Sequence, residues 1–113
     1  MIHDEIIDCE WWTIEHRLTG RPLANTRGWP CIFSARDYAR EAIERVRLPA
    51  ARIRHHGSPL DVIKLIEQAA RFGSTGIVID PGQKCARWFA LDPAAWDFEK
   101  LRQAKRELQE AWN

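Results

Sequence analysis

The sequence predicts an α/β fold of mixed α+β type. It places one domain over residues 1–113, with a central mixed sheet of about five strands and three helices in the order β-β-α-β-α-β-β-α. Three observations carry this prediction. Two amphipathic helical stripes, each opened by a serine and closed by a proline or glycine, separate short segments rich in β-formers. The run Gly76-Ile77-Val78-Ile79-Asp80 is continuous rather than alternating, so both its faces need cover, as in the centre of a layered sheet. A chain of 113 residues, 45% hydrophobic and 29% charged, is enough for one core and short for two.

The first strand is read in Cys9-Glu10-Trp11-Trp12-Thr13-Ile14-Glu15-His16, where alternation sets Trp12 and Ile14 (with Leu18) on one face and Cys9, Trp11 and Thr13 on the other. Thr19-Gly20-Arg21-Pro22 stops it, and residues 23–28 have no period and read as a loop. Trp29-Pro30-Cys31-Ile32-Phe33 is a short apolar strand with its proline at the start or on an edge. Ser34 caps the first helix, with Asp37 as its acidic partner. The stripe Ala35, Tyr38, Ala39, Ala42, Ile43 and Val46 faces inward, and Arg40–Glu44 and Glu41–Arg45 pair at i,i+4 on the outer face before Pro49 ends the unit.

Ala51-Arg52-Ile53-Arg54-His55 alternates again, with Ala51 and Ile53 inward and both arginines outward, as on a half-wet or edge strand. Ser58-Pro59-Leu60-Asp61 supplies cap, first-turn proline and acid for a well-buried second helix that Gly73 ends. After the central strand, Pro81-Gly82-Gln83-Lys84 makes a tight turn and Cys85 to Leu91 returns antiparallel. Asp92-Pro93 opens a last helix that runs close to Trp112. The crossovers within 31–55 and 51–80 are right-handed if their strands are parallel neighbours.

Charge and composition exclude several classes. Lys+Arg is 17 against Asp+Glu 16, a net charge of +1, which leaves no electrostatic footprint for nucleic acid or an anionic membrane. No apolar run approaches a membrane span, and Met1-Ile2-His3-Asp4-Glu5 has the wrong sign for a signal peptide. Cys9, Cys31 and Cys85 are odd in number, widely spaced and set in apolar stretches, so they read as buried, reduced thiols in a cytoplasmic protein. Of the histidines His3, His16, His55 and His56, the adjacent pair points to opposite faces of a strand and cannot chelate one ion, so no metal or other cofactor is expected.

The residues Cys31-Ile32-Phe33-Ser34-Ala35-Arg36 and Gly76-Ile77-Val78-Ile79-Asp80-Pro81-Gly82 resemble the N-terminal domain of SseB-type proteins, the enhanced serine sensitivity family of bacteria. The resemblance spans residues 31–82. It rests on an apolar strand running into a capped helix and a strand ending in a polar–Pro–Gly turn, with Asp80 where that family would have Asn. It implies a bacterial or phage α/β module without known catalysis and transfers no functional residue.

Chemistry-bearing patterns are few. Gly73-Ser74-Thr75-Gly76 lies between a helix and a strand, the reverse of a phosphate loop, and Ser34, Ser58 and Ser74 serve as caps or turn residues. Asp80 at the end of the central strand is the best single catalytic candidate, with His55 and Cys85 as its possible companions; its bland alternative is an aspartate that favours the turn before Pro81. The unusual feature is six tryptophans, Trp11, Trp12, Trp29, Trp88, Trp96 and Trp112. Either helices cover both faces of the sheet and bury them, or one aromatic set lies on the surface, where tryptophans mark interfaces.

The leading expectation is a non-enzymatic cytoplasmic binding or adaptor protein of bacterial or mobile-element type. It would act through an aromatic surface that includes Trp11, Trp29 and Trp88. The alternative is a small-ligand module with a Trp-lined cleft whose polarity is set by Arg52, Arg54 or Asp80, and behind it a small enzyme centred on Asp80. The last helix carries a narrow stripe of Ala94, Phe98, Leu101, Ala104, Leu108 and Trp112, so a homodimer through Leu101, Leu108 and Trp112 is expected.

Overall fold

The elements follow one another as α1 (Ile2–Ile7), β1 (Trp11–His16), β2 (Cys31–Ile32), α2 (Arg36–Val46), β3 (Ala51–His56), α3 (Pro59–Arg71), β4 (Gly76–Ile79), β5 (Arg87–Ala90) and α4 (Phe98–Trp112). A 3-10 turn, Pro93–Ala95, precedes α4. The computed structural model describes residues 2–112; Met1 and Asn113, which the expected limits 1–113 include, and the side chains of Ile2, His3 and Pro93 lie outside the described residues. The α+β class and the order of the five strands agree with the sequence reading, and α1 is an addition to it.

The expected single sheet is divided into β1-β3 and β2-β4-β5. β1 runs antiparallel to β3 from Trp11↔His56 to His16↔Ala51, β2 is parallel to β4, and β5 is antiparallel to β4. The two sheets touch at one bridge, where the amides of Trp12 and Phe33 each donate to the other's carbonyl at 2.9 and 2.8 Å. Beyond it the loop after β1 drives a wedge. The Leu23 amide donates to the Ile14 carbonyl at 2.7 Å, and its carbonyl accepts from Cys31 at 3.0 Å. Leu23 thereby takes the hydrogen bonds that would have zipped β1 to β2. Neither crossover joins neighbouring strands, so the condition attached to their handedness is not met.

Both faces are covered, as the continuous β4 run requires. α2 lies on one face over Ile14, Cys31 and Phe33, with Val78 at its margin. α1, α3 and α4 lie on the other over Trp11, Ile32, Ile77, Ile79 and Phe89. No helix among the described residues is long and apolar enough to cross a membrane.

The helix ends are partly as expected. Ser58 accepts the Asp61 amide at 3.2 Å, Pro59 occupies the first turn of α3, and Gly73, at φ +82°, closes it. The Gly73 amide bonds Ala70 and the Ser74 amide bonds Ala69, the double 5→2 and 6→1 closure that needs a left-handed residue at this place. Ser34 departs from expectation. α2 begins at Arg36 with Ala35 as a cap that makes no side-chain bond, because the Ser34 hydroxyl is committed elsewhere. The expected Arg40–Glu44 and Glu41–Arg45 pairs give way to tertiary bonds: Arg45 donates to the Gly82 carbonyl, and Glu41 accepts from Gln83. Val46 is exposed rather than inward. At the last helix Asp92 caps the 3-10 turn through the Ala94 amide, and Asp97 caps α4 through the Lys100 amide at 3.1 Å.

Candidate functional site

Two regions outside the filled cores stand out among the described residues: a polar cleft where the sheet is split, and the outer end of α4. The cleft follows from strand periodicity. On the α3 side of β1 and β3, Trp11, Thr13 and Glu15 alternate outward from the core, opposite His56, Arg54 and Arg52. Trp11 is buried under α1 and α3, but further along the strands the same face turns polar. The wedge around Leu23 keeps β2 away from that polar stretch. The result is a cleft of about 760 Å³ walled by Thr13, Glu15, Arg54 and His56 on the strands, Arg21, Pro22, Ala24 and Pro30 on the loop, and Leu65, Gln68, Ala69 and Phe72 on α3. A hollow of about 260 Å³ bounded by Asp61 and Lys64 adjoins it and shares Arg54, His56, Leu65 and Gln68.

The polar groups of the cleft are unequally engaged. Glu15, although buried, keeps its charge company through Arg52, whose Nε and Nη2 both reach Oε1 at 2.5 Å. Arg54 stands off at 3.7 Å from Oε2, beyond hydrogen-bond reach, and more than half of its side chain is exposed. Thr13 Oγ1 and His56 Nε2 share a hydrogen bond of 2.8 Å, and both residues are buried. Burial, reinforced by the Arg54 charge, holds the His56 imidazole below the usual histidine range against the opposing pull of Asp61 and Glu15.

The structure brings some of the sequence-nominated residues together in pairs, Trp29 with Trp88 and Asp80 with Cys85, but gathers them into no single site. Trp11 is in the core, its indole donating to the Ile6 carbonyl at 2.7 Å, so it offers no surface. Trp29 is buried too, packed across Gly76, where a Cβ would stand 2.7 Å from the indole ring, and bonded to Thr75 Oγ1. Trp88 is 62% exposed and lies against Trp29 with ring centroids 5.2 Å apart. No tryptophan lines the cleft, so the expected Trp-lined cleft is corrected to one of arginine, histidine and glutamate. Arg52 and Arg54 are both exposed, as expected of a wet strand face, and only Arg54 lines the cleft.

Asp80 is a clamp. Buried at φ +51°, a region aspartate tolerates, its carboxylate accepts from the Ser34 amide at 2.7 Å and hydroxyl at 2.6 Å, pinning the start of α2 to the end of β4. Cys85 Sγ lies 3.7 Å away from it. His55 belongs to the other end of the sheet, three strand intervals or about 14 Å across, stacked on Trp12 and bonded to Glu10. The trio Asp80, His55 and Cys85 is therefore not assembled. The cysteines are corrected in part: Cys9 and Cys85 are exposed, and only Cys31 is buried, where burial pushes its thiol up to about 11. Among the described residues no group of three or more His, Cys, Asp or Glu is placed to hold a metal ion.

α4 is the second region. Its first half is tied down: Phe98 and Leu101 pack against the core, Arg102 bonds Glu67 of α3 at 2.6 Å, and Lys105 bonds Asp8 at 2.8 Å. Its second half is not. Leu108 is 65% exposed and Trp112 91% exposed, one turn apart and in line with the exposed Ala104. α4 has no buried residue along its whole described length. In comparisons with known proteins, no protein-family model matches this chain and no curated protein matches it.

Proposed function

We propose that this protein acts by binding rather than by catalysis, as a homodimer joined through the outer half of α4. The observation that carries the reading is the exposure of Leu108 and Trp112 on one line of a helix whose first half is already anchored. A stripe of this kind on a monomer leaves a large indole in water, and tryptophan is the side chain most enriched where interfaces form. The spacing of the line suits a second copy of itself. In an antiparallel pair crossing at Leu108, residue 112 of one copy faces residue 104 of the other. Trp112 then sits over the small Ala104, and Leu108 meets its own mate, so large and small side chains alternate across the contact. Each indole buries about 150–250 Å². With its neighbours that approaches the lower range of stable interfaces, about 600–800 Å² per partner, so association belongs in the micromolar range.

Other features support binding over turnover. The best catalytic candidate, Asp80, has both carboxylate oxygens engaged by Ser34, and the SseB-like stretch over residues 31–82 brings no catalytic residue with it. Three free cysteines suit the reducing cytoplasm. Trp88 is a separate exposed aromatic through which the dimer would offer a further contact to a protein partner.

The crossing at Leu108 has a direct test. Leu108→Cys, in a background of Cys9→Ser and Cys85→Ser, places one thiol of each copy on the two-fold axis. Mild oxidation is expected to yield a covalent dimer that keeps the native circular dichroism. A chain that stays monomeric under the same conditions overturns the reading.

A further inference from the structure

The cleft beside the split sheet has a charge arrangement that α4 does not explain. Among its lining residues the charged groups are Glu15, Arg21 and Arg54. Glu15 is neutralised by Arg52 through two donors on one oxygen, which leaves Arg54 at 3.7 Å with its donors unspent. Arg21 on the facing loop enters no ion pair among the described residues. Two guanidinium groups therefore look into a hollow of about 760 Å³, a volume ordinary for small-molecule sites. The apolar part of the wall is Pro22, Pro30, Leu65 and Ala69, beside the polar Thr13, His56 and Gln68.

We infer that this cleft binds a small organic monoanion, a carboxylate carried on an apolar body, with Arg54 and Arg21 holding the carboxylate and the Pro22–Leu65 side holding the body. A guanidinium fork meets a carboxylate with two parallel donors, and in a partly enclosed site those charge-assisted bonds are about twice as strong as neutral ones. The anion is a carboxylate rather than a phosphate because of the helix that borders the site. α3 presents its C-terminal half here, Leu65, Gln68 and Ala69, and that end of a helix carries the negative pole. Phosphate sites draw on the opposite end, with free backbone amides aimed at the ligand. A second negative charge would stand against the carbonyl pole of α3, which a monoanion held by the two guanidinium groups avoids. The inference uses residues separate from Leu108 and Trp112, so it stands or falls apart from the dimer.

The test is an amide NMR titration of the full chain with 4-phenylbutyrate, with 4-phenylbutan-1-ol and phenyl phosphate as the uncharged and dianionic counterparts. Phenylbutyrate is expected to shift the Thr13, Ala24 and Gln68 resonances saturably, and to bind at least about tenfold more tightly than either counterpart. Arg54→Ala is expected to weaken it by about tenfold or more while leaving distant resonances in place. Arg21→Ala, on the opposite wall, gives the same loss and serves if the first variant disturbs β3. Equal binding of the alcohol, tighter binding of the phosphate, no saturable shift in these residues, or undiminished affinity in both variants overturns the proposal.

Discussion

α3 and α4 lie side by side on the same face of the sheet, and both are amphipathic, yet they use their apolar sides in opposite ways. α3 has a serine cap, a proline in its first turn and a closed C-terminal motif, and Val62, Ile63, Ile66 and Ala69 are all buried. α4 has an aspartate cap and a longer stripe, and buries nothing completely. The difference lies in what faces each helix. α3 sits over Ile32, Ile77 and Ile79, the apolar centre of the β2-β4-β5 sheet, whereas α4 lies at the margin, held by Phe98, Leu101 and the ion pairs of Arg102 and Lys105. Helical periodicity shows that a stripe exists; only the elements packed around it decide whether the stripe is filled from within the same chain.

Substitutions on the two helices should separate these roles. Ile66→Asp on α3 places an unpaired charge in a fully buried position and is expected to cost more than about 4 kcal/mol, enough to prevent folding. Leu108→Asp on α4 is expected to leave the monomer's melting temperature within a few degrees. Thermal melts followed by circular dichroism compare the two, and equal losses would erase the distinction. Next in size is a pH effect at the polar end of α3's territory. His56 has a lowered pKa, so the unfolded chain binds its proton more readily than the folded one. Its stabilising contribution is complete above about pH 6.5 and declines as pH falls below that, by at most about 1.4 kcal/mol per pH unit. His56→Gln should flatten the stability profile below about pH 6.5 in urea titrations; an unchanged slope would assign the acid sensitivity to other groups.

Two smaller effects bear on how each helix is fixed. Ser58→Ala removes the cap bond to the Asp61 amide, and a loss of about 0.5–2 kcal/mol in urea unfolding is expected. Glu67→Gln breaks the link between α3 and α4, since Glu67 receives Arg102 at 2.6 Å and Arg71 at 3.7 Å. These are partly exposed pairs, so the cost should stay below about 1 kcal/mol. A larger loss, accompanied by a change in association, would mean that the anchoring of α4 and its outward contact are coupled.

What could be read from the chain in advance follows the range of the interactions concerned. α3 was legible because Ser58, Pro59, Asp61 and Gly73 specify its ends within a few residues, and β4 because three consecutive β-branched residues leave no polar face. The antiparallel return of β5 follows from the turn beginning at Asp80, where the Gln83 amide bonds the Asp80 carbonyl. The rest depends on partners far along the chain. Ser34 has the chemistry of a cap, but Asp80, 46 residues away, outcompetes the helix for it. The loop at 23–28 has no periodicity, yet its Leu23 backbone splits the sheet and so creates the cleft. α1 is short, and its only local signal was the pair Ile6-Ile7 ahead of Trp11, whose indole bonds back to Ile6. The tryptophans show the same limit: alternation assigned Trp11 and Trp12 to opposite faces correctly, but could not tell that Trp11 would be enclosed while Trp88 and Trp112 stay exposed.

The central claim, that this protein works through contact made by the outer half of α4, is tested most directly by its mass in solution. Multi-angle light scattering at about 100 μM, well above a micromolar dissociation constant, is predicted to give the mass of two chains for the unmutated protein. Leu108→Glu is predicted to give the mass of one chain at the same concentration, with an unchanged circular dichroism spectrum. A single-chain mass for the unmutated protein, or a two-chain mass that survives Leu108→Glu, contradicts the account.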